Sequence, residues 1–131
     1  MRIGLDFDNT LACYDHIFRN KAKEKGIVSK FWSGNKIDIR KKLRSQNKGE
    51  IKWQKLQGEV YGPSMSQATL FPEVANFLMF CKKKGHKVFI VSHKTEFANY
   101  DSTKTPLQKV ALDWMKSKGF FKKNLFNLSR K

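Results

Sequence analysis

The chain has 131 residues, 40% hydrophobic and 13% aromatic, enough apolar material for one packed domain, which excludes a disordered segment. Its 27 Lys and Arg against 11 Asp and Glu give a formal charge of +16, which excludes a surface that repels phosphorylated ligands, nucleic acid or acidic membranes. No run approaches the about 18 apolar residues of a spanning helix, and the acids at positions 6 and 8 interrupt any apolar leader, so the expectation is a soluble, cytoplasmic protein without a membrane partner. The lysines are scattered through every segment among many Asn and Ser, so the same bias also fits genome composition. Cys13 and Cys81 form neither a metal spacing nor a disulfide framework and are expected to be reduced.

The first element is the short run Arg2-Ile3-Gly4-Leu5, which ends abruptly in Asp6-Phe7-Asp8-Asn9-Thr10. Extended chain places alternate side chains on one face, so a strand continuing through Asp8 would aim Asp6 and Asp8 the same way. Two carboxylates together at the end of a buried strand repel each other and are costly to desolvate unless a cation joins them. The pattern therefore asks for a metal, a catalytic role, or both; its bland rival is a turn or a helix cap.

Leu11 to Lys25 has helical spacing at Leu11, Tyr14, Phe18 and Ala22, with Gly26 as a C-terminal stop. Ile27 to Leu70 is rich in Lys, Ser, Asn and Gln, with small apolar sets such as Ile37/Ile39/Leu43 and Trp53/Leu56/Val60, and predicts one or two short amphipathic helices. Trp32 and Trp53 are expected to pack inside this segment, with substrate stacking as the rival reading. Pro72 then sits at the first turn of a helix carrying Val74, Phe77, Leu78 and Cys81 at i, i+3, i+4, i+7, which Lys82-Lys83-Lys84 and Gly85 close. Lys87 to Ser92 is a β-branched and aromatic run expected for a parallel strand buried on both faces, and it stops at Ser92-His93-Lys94-Thr95. Pro106 opens another helix, with Leu107, Val110, Ala111, Trp114 and Met115 on one face and Gly119 after it, and Asn124 to Leu128 reads as a last short strand. His16 and His86 read as surface positions.

This order of strand, helical insertion, helix, strand, helix and strand predicts an α/β fold with a parallel sheet. Ligands gather at the carboxyl ends of such strands, which would bring Asp6 and Asp8 beside Ser92, His93 and Lys94.

With those residues in view, the chain resembles the haloacid dehalogenase-like superfamily of phosphohydrolases. Its first motif, a hydrophobic strand ending Asp-x-Asp-x-Thr, is matched by Ile3-Gly4-Leu5-Asp6-Phe7-Asp8-Asn9-Thr10; its second, a Ser or Thr ending the next core strand, by Val88-Phe89-Ile90-Val91-Ser92. Asp-Phe-Asp-Asn-Thr, Tyr61-Gly62, Ile90 to Thr95 and Gly119-Phe120-Phe121 also resemble a small bacterial and phage-type branch. The resemblance implies a Rossmann-like parallel sheet flanked by helices: one domain with its core at about 1–12 and 71–131 and a small helical cap inserted at about 13–70. It implies Asp6 as a nucleophile forming an aspartyl-phosphate and Asp8 as general acid and then base. Mg²⁺ would be held at Asp6 and Asp8, bridging the Asp6 carboxylate, the backbone carbonyl of Asp8 and the phosphate, and phosphate would be held by Asn9, Thr10 and Ser92, with His93 and Lys94 beside them. The substrate would be a small phosphorylated compound, a sugar phosphate or a nucleotide.

The family's third motif, a neutralising lysine, and its fourth, one or two acids completing the metal site, are not found. Lys104 and Lys109 come too early, and after Ser92 the only acids are Glu96, Asp101 and Asp113. The expectation is a fragment of a longer enzyme, a chain completed by another subunit, or a truncated descendant. The rival from another class is a basic module of the same fold that binds phosphorylated ligands or nucleic acid without turnover.

Overall fold

In the computed structural model, which describes every residue except His93, Asp101, Ser102 and Lys131 and only the backbone of Arg130, the N-terminal apolar run is strand β1 (Arg2–Asp6). Next come β2 (Ala12–Cys13), α1 (Asp15–Glu24), α2 (Lys36–Arg44), α3 (Gly49–Tyr61) and a 3-10 turn (Met65–Gln67). The chain continues through β3 (Thr69–Leu70), α4 (Val74–Lys83), β4 (Lys87–Val91), α5 (Leu107–Ser117) and β5 (Ser129–Arg130). The architecture is mixed α/β. Among the described residues, β1, β4 and β5 make an all-parallel sheet in the order β1-β4-β5, and β2 and β3 make a separate antiparallel pair.

Two compact units result. The first comprises Met1–Cys13, Thr69–Lys94 and Ala111–Lys131; the second comprises Tyr14–Ala68 and Thr95–Val110.

In the first unit the helix α4 buries Val74, Leu78 and Cys81, as its spacing predicts, but Phe77 remains 42% exposed. Gly85 takes φ +75°, its N–H donates to Lys82 O, and the His86 N–H donates to Cys81 O. That pair of bonds satisfies the last carbonyls of the helix and turns the chain into β4. In β4, Val88 and Ile90 are buried while Phe89 and Val91 keep partial exposure, so one face is closed and the other only partly covered. Phe7, Trp114 and Phe120 join edge to face, with ring centroids 5.6 and 5.7 Å apart. Fully burying side chains of this size contributes about 1.5–3 kcal/mol each. Both cysteines are free thiols, Cys81 buried and Cys13 partly so.

The expected helix from Leu11 starts later. Leu11 and Ala12 are buried, Ala12–Cys13 pairs antiparallel with Thr69–Leu70, and α1 begins only at Asp15, an acid placed where the helix dipole favours it. The last strand is displaced too. Asn127 adopts φ +52°, the Leu128 N–H donates to Phe120 O, and pairing with β4 begins at Ser129 instead of Asn124. Asn tolerates this left-handed conformation at small cost, which suits a turn better than a strand.

The second unit has its own aromatic core. Trp53 stacks on Phe18 at 5.4 Å, and Tyr61 meets both Tyr14 and Phe18 edge to face. Trp53 is buried, as expected, whereas Trp32 is only half-buried. The helix α2 opens on a capping box: Asn35 Oδ1 accepts from the Asp38 N–H, and Asp38 Oδ2 accepts from the Asn35 N–H. Arg44 donates two hydrogen bonds to Glu50 across the α2–α3 turn and holds that carboxyl below its ordinary range, with Gln54 adding a third. His16, read as a surface position, is half-buried and bonded through Nε2 to Gln67 O at 2.8 Å. His86 is half-buried as well.

Candidate functional site

Parallel pairing sets the geometry of the site. Asp6 lies opposite Val91, so the chain leaves β1 and β4 at the same end of the sheet, with Phe7-Asp8-Asn9-Thr10 following one strand and Ser92 and Lys94 the other. All of these residues belong to the first unit. The strand ends at Asp6, yet the alternation continues: Asp6 is exposed, Phe7 fully buried and Asp8 intermediate. Phe7 is thus the apolar anchor between the two carboxylates. The Phe7 N–H donates to Asp6 Oδ1 at 2.9 Å, which fixes one oxygen of that carboxylate close to the backbone.

The turn after Phe7 is tight. Phe7 O accepts from the N–H groups of Thr10, Leu11 and Ala12, at 3.3, 3.0 and 3.2 Å, and the Asn9 N–H donates to Ala12 O at 3.0 Å. Asn9 carries φ +60°, a left-handed position that Asn occupies more readily than most residues. The Asn9 and Thr10 N–H groups, expected to hold phosphate, are therefore used within the turn. Their side chains are exposed, as is Ser92, directly after β4. His93 lies outside the described residues.

Lys94 is the best-defined polar contact of the site. Its Nζ lies 3.0 Å from Asp8 Oδ1, with only 5% of its side chain exposed against 32% for Asp8. It also sits over the Phe7 ring, 5.8 Å from the centroid, where the negative face of the ring attracts a cation. Lysine was a candidate here only for its charge. The register brings the chain beyond Val91 beside the chain beyond Asp6, which allows Lys94 to reach Asp8.

Mg²⁺ prefers octahedral oxygen coordination and is usually held through carboxylates plus substrate oxygens. Among the described residues no three His, Cys, Asp or Glu side chains converge as metal donors. Asp113 is exposed on α5, Glu96 belongs to the second unit, and Asp101 lies outside the described residues. One of the two available carboxylates is already paired with an ammonium. Asp6, Asp8, Ser92 and Lys94 gather two carboxylates, a hydroxyl and an ammonium at one end of the sheet. No helix among the described residues is long and apolar enough to cross a membrane. Comparison of the chain with protein-family models, with curated proteins and with solved structures gave no match in any of the three.

Proposed function

We propose that the chain is a phosphomonoester hydrolase of the haloacid dehalogenase type, its sheet the Rossmann-like core and residues of about 13–70 the helical cap. The observation that carries this reading is the register Asp6–Val91, which gathers the Asp-x-Asp turn and the Ser92 strand end in one place. An Asp6 carboxylate oxygen attacks phosphorus. The bond from phosphorus to the ester oxygen breaks, and the proton carried by Asp8 goes to the departing alcohol, leaving an aspartyl-phosphate. Asp8, now a carboxylate, takes a proton from water; the water oxygen attacks phosphorus, the Asp6–phosphorus bond breaks, and inorganic phosphate leaves with Asp6 restored. Ser92 offers a hydroxyl to the phosphoryl oxygens. The basic charge of the chain favours dianionic substrates, sugar phosphates or nucleotides.

A panel of phosphate esters, run with and without Mg²⁺, tests the reading. Hydrolysis of at least one ester should fall by about 100-fold or more in Asp6→Asn, the scale expected when a nucleophile is removed. Turnover unchanged by that substitution would remove Asp6 from the chemistry.

A further inference from the structure

From the open edge of β1 we infer that a second copy of this chain docks there: its own β1 pairs antiparallel about a twofold axis at Gly4, so that Arg2 of each copy stands opposite Asp6 of the other. The inference concerns assembly and does not depend on the phosphohydrolase reading. Among the described residues β1 is an outer strand, with β4 on one side and no strand on the other. The Lys87 N–H donates to Met1 O at 2.9 Å, and Lys87 lies opposite Arg2. Backbone groups alternate in direction along a strand, so Ile3 and Leu5 also face β4, while the N–H and C=O groups of Arg2, Gly4 and Asp6 point to the open side. All three of those residues are exposed. An open strand edge is a template for another strand, and β1, five residues long, carries no proline or lysine to blunt it.

The order of residues selects a second copy as the partner. Antiparallel pairing centred on Gly4 matches every open position: Arg2 with Asp6, Gly4 with Gly4 and Asp6 with Arg2, each pair exchanging both N–H···O=C bonds. Ile3 then faces Leu5, two partly exposed apolar side chains on the other face of the sheet. Centring the axis on Arg2 or Asp6 would set like charges against each other, and centring it on Ile3 or Leu5 would leave Asp6 or Arg2 without a partner in the strand. A Cβ at Gly4 would meet nothing closer than Val91 Cγ2 at 3.5 Å, so packing within the chain does not call for glycine, whereas a glycine inside a strand often marks the close approach of another backbone. The +16 charge of each copy opposes association, but at about 0.15 M salt it is screened beyond about 8 Å, a distance within which the paired charges fall. Each candidate site then receives the guanidinium of the other copy beside Asp6.

Sedimentation equilibrium of the full chain, in about 0.15 M salt and loaded up to about 1 mM, tests this. Wild type should dimerise reversibly with a dissociation constant of about 10–100 µM, the weak end suited to a small interface. Arg2→Glu and Asp6→Arg each place like charges in both pairs and should weaken association by about tenfold or more. An equimolar mixture of the two variants should dimerise as wild type does, because every pair is again of opposite charge. A wild-type chain that stays monomeric would overturn the inference and leave the edge to a strand from another protein. A dimer that both single variants retain, or a mixture that stays monomeric, would overturn it as well. Should Asp6→Arg fail to fold, Gly4→Cys in a Cys13→Ser background decides the matter. Its two copies meet at the axis with Cα atoms about 5.5 Å apart, within disulfide range, so oxidation should link position 4 to position 4. A chain left unlinked would overturn the inference.

Discussion

Asp8 is held by a partner far more buried than itself, and the energetic consequence is asymmetric. Removing its carboxylate leaves the Lys94 ammonium enclosed against Phe7 with a principal counter-charge gone, whereas replacing Lys94 by an apolar side chain leaves a carboxylate that still reaches water. Asp8→Ala should therefore cost about 1–3 kcal/mol of stability, below the full price of a buried ion pair because Asp8 is one-third exposed. Adding Lys94→Met to Asp8→Ala should restore part of the loss. Urea unfolding of the two single variants and the double variant measures the coupling; an Asp8→Ala midpoint equal to wild type would show that the pair contributes nothing. Asp6 is different. It is exposed, and the Phe7 N–H restrains one of its oxygens, so its replacement by Asn should perturb chemistry more than folding.

Between α2 and α3 the chain closes on itself at Gly49. A Cβ there would lie 1.9 Å from Leu43 O and 2.7 Å from Leu43 C, backbone atoms that cannot rotate away. Alanine is the better helix former by about 1 kcal/mol, but the collision outweighs that gain, and Gly49→Ala should destabilise the second unit by about 1–3 kcal/mol, the usual cost of overpacking. An unchanged or raised urea midpoint would contradict the turn geometry. Elements with complete local signals were legible in the sequence: α4 has its apolar spacing, lysine-rich end and Gly85, and β4 has a continuous β-branched and aromatic run. The start of α1 was not, because the pairing of Ala12–Cys13 with Thr69–Leu70 joins residues more than fifty positions apart and leaves no local trace. For β5, Asn127 was the available clue, a turn residue inside an apparent strand.

Over the whole molecule the formal charge is +16, whereas at the site the carboxylates outnumber the one identified ammonium. Such a charge favours the approach of anionic ligands. The Asp-x-Asp motif, Ser92 and Lys94 were all legible as candidates, because carboxylates and a hydroxyl ending apolar strands are unusual enough to stand out. The ion pair was not legible, since it depends on the β1–β4 register and on the burial of one lysine among many. The most direct test of the account is chemical trapping at Asp6. Wild-type protein quenched in acid during turnover of an active phosphate ester, reduced with borohydride and digested, should yield homoserine at position 6, the product of reducing an aspartyl-phosphate. Steady hydrolysis by the same protein with aspartate intact at position 6 in every quenched sample would contradict the nucleophile, and with it the mechanism built on this strand end.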